Sequence, residues 1–122
     1  MALGRGVLMV RDEFIREAEV LRVIDGDTYD MMVSLGFGTY RKIRIRLNGV
    51  DTWEMRGDDR ELGLLASEHV ERLAADTDGD VLIRSVDYKT GKYGRTIGDV
   101  ISVSDGTDWG KSLVENGHEK TT

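Results

Sequence analysis

Several residues in this chain are of the types that handle phosphates and hard metal ions, and they fall near the ends of elements. Asp25 and Asp27 flank Gly26 in an Asp-Gly-Asp-Thr run, while Asp51 and Glu54 follow a basic stretch that ends at Arg46. Arg95 follows a Gly-rich stretch, Tyr88 to Gly94, that reads as a long hairpin loop, and it opens the next strand. Carboxylates gathered on loops are the raw material of an oxygen-ligand metal site, although Asp-Gly-Asp is also ordinary turn chemistry. A guanidinium stays charged at any working pH and can grip a phosphate with two parallel hydrogen bonds. Two arginines beside a carboxylate-bound divalent ion meet the needs of phosphodiester hydrolysis. The cations offset charge that grows on the non-bridging oxygens, and a carboxylate orients or deprotonates the attacking water.

Composition narrows the choice of ion. The chain has no cysteine and two histidines, His69 and His118, so thiolate chemistry and a three-histidine zinc site are excluded. Any metal site must be built from oxygens, which favours calcium or magnesium. His69 lies near an apolar stripe and reads as a half-buried packing residue. The net charge is −6, from 17 basic and 23 acidic residues, which by itself argues against a protein that lives on nucleic acid. The bases are clustered, however. Residues 41–50 hold Arg41, Lys42, Arg44 and Arg46 with no acid, and residues 81–98 hold Arg84, Lys89, Lys92 and Arg95 against Asp87. Brought together, these blocks would form one cationic patch; kept apart, they are two solvated strand faces.

The elements that must position these residues follow from periodicity. Residues 14–24 alternate loosely and read as a strand, Asp25 to Thr28 as a turn in which Gly26 is free to take a positive φ, and residues 28–34 as a second strand. Tyr40 to Leu47 alternates cleanly, with Ile43, Ile45 and Leu47 on one face and Lys42, Arg44 and Arg46 on the other. From Glu61 to Ala75, Leu62, Leu65, Ala66, Val70 and Leu73 recur at helical spacing. Val81–Val86 and Thr96–Val103 are further strands, and Asp108 can cap a short helix that runs through Glu115 and is closed by Asn116-Gly117. The fold class is mainly β with helices (α+β), in the order β-β-β-α-β-β-α, which predicts a five-stranded OB-fold barrel. A length of 122 residues predicts one domain, at 14–117, between an arm at 1–13 and a tail at 118–122. No stretch is apolar enough to cross a membrane or to act as a signal peptide, so the expectation is a cytoplasmic monomer with no membrane partner.

Three motifs stand in series: Val23-Ile24-Asp25-Gly26-Asp27-Thr28, then Arg46-Leu47-Asn48-Gly49-Val50-Asp51-Thr52-Trp53-Glu54, then Lys92-Tyr93-Gly94-Arg95. Together they resemble the staphylococcal-nuclease (thermonuclease-like) family over about residues 15–117. The resemblance implies an OB-fold and a calcium-dependent, sugar-nonspecific endonuclease. Such an enzyme hydrolyses phosphodiesters of DNA and RNA and leaves 3′-phosphate ends. The acidic surroundings of the two basic blocks would repel a second strand, which predicts a preference for single strands. The resemblance also implies that Asp27 and Asp51 are calcium carboxylates, that Thr52 offers its backbone carbonyl to the ion, and that Asp25 is an outer acid of the same site. Arg46 and Arg95 match the phosphate-binding arginines and Glu54 the general base. Lys92 and Tyr93 match a pair that holds a neighbouring phosphate. Trp53 stands where the family usually places proline, and its ring could pack inward or stack a base. Aromatics that stack the base in family members do not follow the last helix here. The alternative is a non-catalytic OB-fold module that binds nucleic acid or protein; the complete set of Asp27, Arg46, Asp51, Glu54 and Arg95 favours catalysis.

Overall fold

A computed structural model describes residues 15–88 and 96–120. The expected arm at 1–13 and the expected phosphate-binding residues Lys92, Tyr93 and Arg95 lie outside the described residues. The strands are β1 (Ile15–Asp25), β2 (Thr28–Gly36), β3 (Thr39–Leu47), β4 (Asp80–Tyr88) and β5 (Thr96–Ser102), and the helices are α1 (Arg60–Asp76) and α2 (Trp109–Glu115). A single 3-10 turn at Gly57–Asp59 leads into α1. The order β-β-β-α-β-β-α is the one expected. The strands close into a barrel in the order β1-β2-β3-β5-β4, an OB-fold-like architecture.

Every neighbouring pair is antiparallel except β3 and β5, which run parallel through Ile45↔Thr96, Arg46↔Ile97 and Leu47↔Gly98. The parallel pair follows from the helical crossover between β3 and β4, since a parallel neighbour cannot be reached by a hairpin. Register shifts between Val20 and Arg22 and between Val23 and Asp25 explain why the alternation of β1 is loose in sequence. In β2 and β3 the alternation is kept. Tyr29, Met31, Val33, Ile45 and Leu47 point inward and are buried, and Ile43 packs partly against them. On the opposite face of the same pair, Asp30 and Arg44 stand directly across from each other and form a two-bonded ion pair of 2.8 and 3.2 Å.

The barrel is plugged from two sides. Trp109, at the start of α2, is fully buried, meets Tyr29 edge-on at 5.2 Å and donates its Nε1–H to Ser102 Oγ at 2.8 Å. Asp108 caps α2 by accepting from the Lys111 N–H, as its sequence position predicts. α1 packs on β1, but not with the full stripe expected. Gly63, Ala66, Ser67 and Val70 are buried, whereas Leu62 and Leu65 are 43% and 51% exposed. At Gly63 the helix lies against the Glu54–Met55 backbone and leaves no room for a larger side chain, whereas further along Val70 is buried and Leu73 packs partly against the core, as the stripe predicts. No helix among the described residues is long and apolar enough to cross a membrane.

His69 of α1 joins the two helices. Its Nε2 lies 2.7 Å from Ser112 Oγ of α2, and its ring is 5.0 Å from that of His118, just beyond α2. Burial, then His118 and Arg72, hold His69 below the ordinary imidazole value of 6.5; burial and Arg72 do the same to His118. The unfolded chain therefore binds protons more readily at both sites. Their contribution to stability is present above 6.5 and is lost as pH falls through the lowered folded values. Urea unfolding should show stability falling below about pH 6.5. In the His69→Gln, His118→Gln variant that slope should flatten.

Candidate active site

The β1–β2 turn, the end of β3, the loop 51–56 and residue 120 meet around one open pocket of about 400 Å³. It is lined by Asp25, Asp27, Thr28, Arg46, Asp51, Thr52, Glu54 and Lys120. Asp25, Asp27, Arg46, Asp51, Thr52 and Glu54, which the sequence singles out from separate motifs, are thus brought together. Trp53 is half-buried and is not among the lining residues. Arg95, Lys92 and Tyr93 belong to the connection between β4 and β5. That connection re-enters the described chain at Thr96, opposite Ile45 and so beside the strand position of Arg46.

Asp27 is buried, and its carboxylate is held from two sides. Thr28 Oγ1 donates to Oδ1 at 3.0 Å, and the Thr52 N–H donates to Oδ2 at 3.2 Å. The second bond ties the β1–β2 turn to the loop that follows β3. Arg46 lies between the two carboxylates expected to bind metal: its Nη2 is 3.7 Å from Asp27 Oδ2 and pairs with Asp51 Oδ1. Asp25 accepts from the Met55 N–H at 3.4 Å. Burial raises the Asp25 carboxyl above its ordinary value, the charges of Asp27 and Glu54 add to the rise, and the Met55 N–H and Arg56 oppose it. Glu54 is exposed and accepts from Arg56 Nε at 2.9 Å; that bond and the Arg56 charge hold it below the usual carboxylate range, with a smaller contribution from Lys120.

Two glycines let the site assemble. Gly26 does not use the positive φ that the turn predicts. Space requires it instead, because a Cβ there would come within 2.8 Å of both Ala66 Cβ and Thr52 Oγ1. Gly63 plays the same part for the base candidate: a Cβ would fall on the Glu54 carbonyl and 2.8 Å from Met55 N, so α1 rests directly on the peptide that carries Glu54.

The donor set fits a hard cation. Carboxylates converge here, no cysteine or histidine lines the pocket, and Thr52 Oγ1 is a buried oxygen with no hydrogen-bond partner. Among the described residues no group of three or more acidic or imidazole side chains is gathered as a metal cage. A site on Asp27 and Asp51 would therefore be completed by a backbone carbonyl and water. The lining residues that sequence reasoning missed are Thr28 and Lys120, and beside the pocket it missed the Glu54 partner Arg56. Arg56 carries a faint signal, since it lies two positions from Glu54; Lys120 carries none, because only the chain reversal after α2 brings it back. No protein-family model matches the chain, and no curated protein matches it.

Gly63→Ala should push the Glu54–Met55 peptide off α1 and lower stability by about 1–3 kcal/mol, the usual cost of overpacking. The intrinsic helix gain of alanine, about 1 kcal/mol at most, offsets only part of that. Denaturant midpoints of the two chains check it, and an unchanged midpoint would show that the loop yields freely.

Proposed function

We propose that this chain is a calcium-dependent, sugar-nonspecific nuclease that hydrolyses phosphodiesters of DNA and RNA, with single strands preferred and 3′-phosphate ends left. The observation that carries the reading is the meeting of Asp27, Arg46, Asp51, Thr52 and Glu54 at one open pocket from separate segments of chain. The resemblance of the three sequence motifs to the staphylococcal-nuclease family supports it.

Asp27 and Asp51, with the Thr52 carbonyl, would hold the calcium ion, and Asp25 would stand behind them. When bound, that ion supplies positive charge against a phosphodiester whose negative charge grows in the transition state. Arg46 is placed to exchange its carboxylate contacts for a non-bridging phosphate oxygen, which its planar fork can hold with two hydrogen bonds. Arg95 is proposed as its counterpart. Glu54, held below the usual carboxylate range, is ionised at neutral pH. It can accept the proton of an attacking water once Arg56 gives up its bond. Open access to the pocket suits a flexible strand, and the acidic balance of the chain disfavours a duplex with its second line of phosphates.

Digestion of single-stranded DNA and RNA with calcium, with magnesium and with chelator tests the reading. Hydrolysis with calcium, lost to chelator, is expected. Glu54→Gln should lower kcat by about 10² or more, the typical scale of a general-base contribution. Asp27→Asn should weaken calcium binding measured by calorimetry. Absence of hydrolysis under every condition would remove the assignment. The pairing of Glu54 with Arg56 and of Arg46 with Asp51 favours a second reading, a non-catalytic nucleic-acid-binding module. Calcium-dependent binding of the strand without any cleavage would select it.

A further inference from the structure

Residues 117–120, after α2, turn back onto the barrel. Gly117, at φ +76°, reverses the chain, and the His118 N–H donates to the Leu113 carbonyl at 2.9 Å. Glu119 then forms an antiparallel bridge with Thr52, and the Lys120 N–H donates to the Asp51 carbonyl at 2.6 Å. The backbone of residues 119–120 is therefore bonded onto the very loop that carries Asp51 and Thr52. His118 packs beside His69, which fixes the segment from its other side.

This path brings Lys120 to the pocket wall. Among the described lining residues the cations are Arg46 and Lys120, set against Asp25, Asp27, Asp51 and Glu54. Arg46 is engaged by Asp27 and Asp51. Lys120 is exposed and makes no ion pair among the described residues. Its charge acts on Glu54 without a direct ion pair, so an exposed ammonium anchored at the rim by its own backbone can turn to an incoming anion without breaking a salt bridge. It is a compact point charge on a flexible stem, so it tolerates variation in where that anion sits. This suits a strand phosphate beside the reacting one better than the reacting phosphate, which needs a fixed bidentate grip.

We propose that Lys120 is a substrate-positioning residue that binds a phosphate adjacent to the scissile diester, so that the pocket favours strands with consecutive phosphates over isolated diesters. This rests on the nuclease reading. The contact is electrostatic and should release about one condensed counterion, which on single strands corresponds to a slope of about −0.7 in log affinity against log salt.

The test uses labelled single-stranded oligonucleotides with calcium, followed by fluorescence anisotropy across a salt series in the Glu54→Gln chain, where cleavage is slow. Adding Lys120→Ala should weaken binding several-fold at low salt and make the salt slope shallower by about 0.7. Lys120→Arg should keep the slope. A dinucleotide with one diester and no terminal phosphate should bind the Lys120→Ala and parent chains alike. A purely structural role for the segment would weaken both ligands equally and leave the slope unchanged, and either result overturns the inference. If the unaltered chain cleaves the strand while the slope does not move, the Lys120 assignment alone falls. If no chain binds or cleaves the strand, the nuclease reading falls with it.

Discussion

Burying a carboxylate at the rim of a barrel is costly unless donors surround it, and Asp27 is buried among donors drawn from separate segments of chain. Thr28 comes from its own strand, Thr52 from the loop after β3, and Arg46 approaches from the end of β3. Each donor that satisfies Asp27 also locates a further element of the pocket. The Thr52 N–H brings Asp51 and Glu54 with it, and the Leu47 N–H, bonded to the Asp27 carbonyl at 2.8 Å, fixes the end of β3 against the same turn. A single polar constraint thereby sets where the loop 51–56 lies, and with it where the acids of the site can stand.

Close packing sustains that arrangement. The turn at Gly26 sits beneath Thr52 and Ala66, and α1 rests on the Glu54–Met55 peptide through Gly63. Side chains at these positions would force the helix away from the loop. Leu62 and Leu65 face outward because the first turns of α1 lie on the Glu54–Met55 peptide and the Gly26 turn, whereas further along Val70 is buried and Leu73 packs partly against the core. Beneath the pocket, Tyr29 carries the constraint into the core. Its hydroxyl donates to the Gly26 carbonyl, and its ring packs edge-on against Trp109. Burial, then the charge of Asp27, push its phenol well above 10.0, so it remains a donor across the whole working pH range. The core aromatic pair and the site turn are in this way parts of one unit.

Among the described residues, the arginines at the site are held by acids of the same chain. Arg46 is shared between Asp27 and Asp51, Arg56 is paired with Glu54, and away from the pocket Arg44 is paired with Asp30. The basic face of β3 is therefore less free than its sequence suggests. An anionic ligand entering the pocket must compete with carboxylates for Arg46, and a divalent cation on Asp27 and Asp51 would ease that competition by taking over the same oxygens.

The sequence by itself determined the elements and the chemistry on offer. The clean alternation of β3, the Asp108 cap of α2 and the change of period at α1 are local patterns, and local patterns survive without tertiary information. The oxygen-only donor set follows from the absence of cysteine and the scarcity of histidine. Tertiary structure decided everything that depends on contacts between distant residues. It decided that Gly26 is needed for space rather than for a positive φ, that the first turns of α1 bury Gly63 and Ala66 rather than Leu62 and Leu65, and that Glu54 is met by Arg56. It also returned Lys120 to the pocket across a separation of more than sixty residues from Asp51. The physical reason is the same in each case. Propensity and periodicity report the preferences of a residue and its near neighbours, whereas steric fit and charge pairing exist only once the barrel has closed and brought separate segments within van der Waals distance.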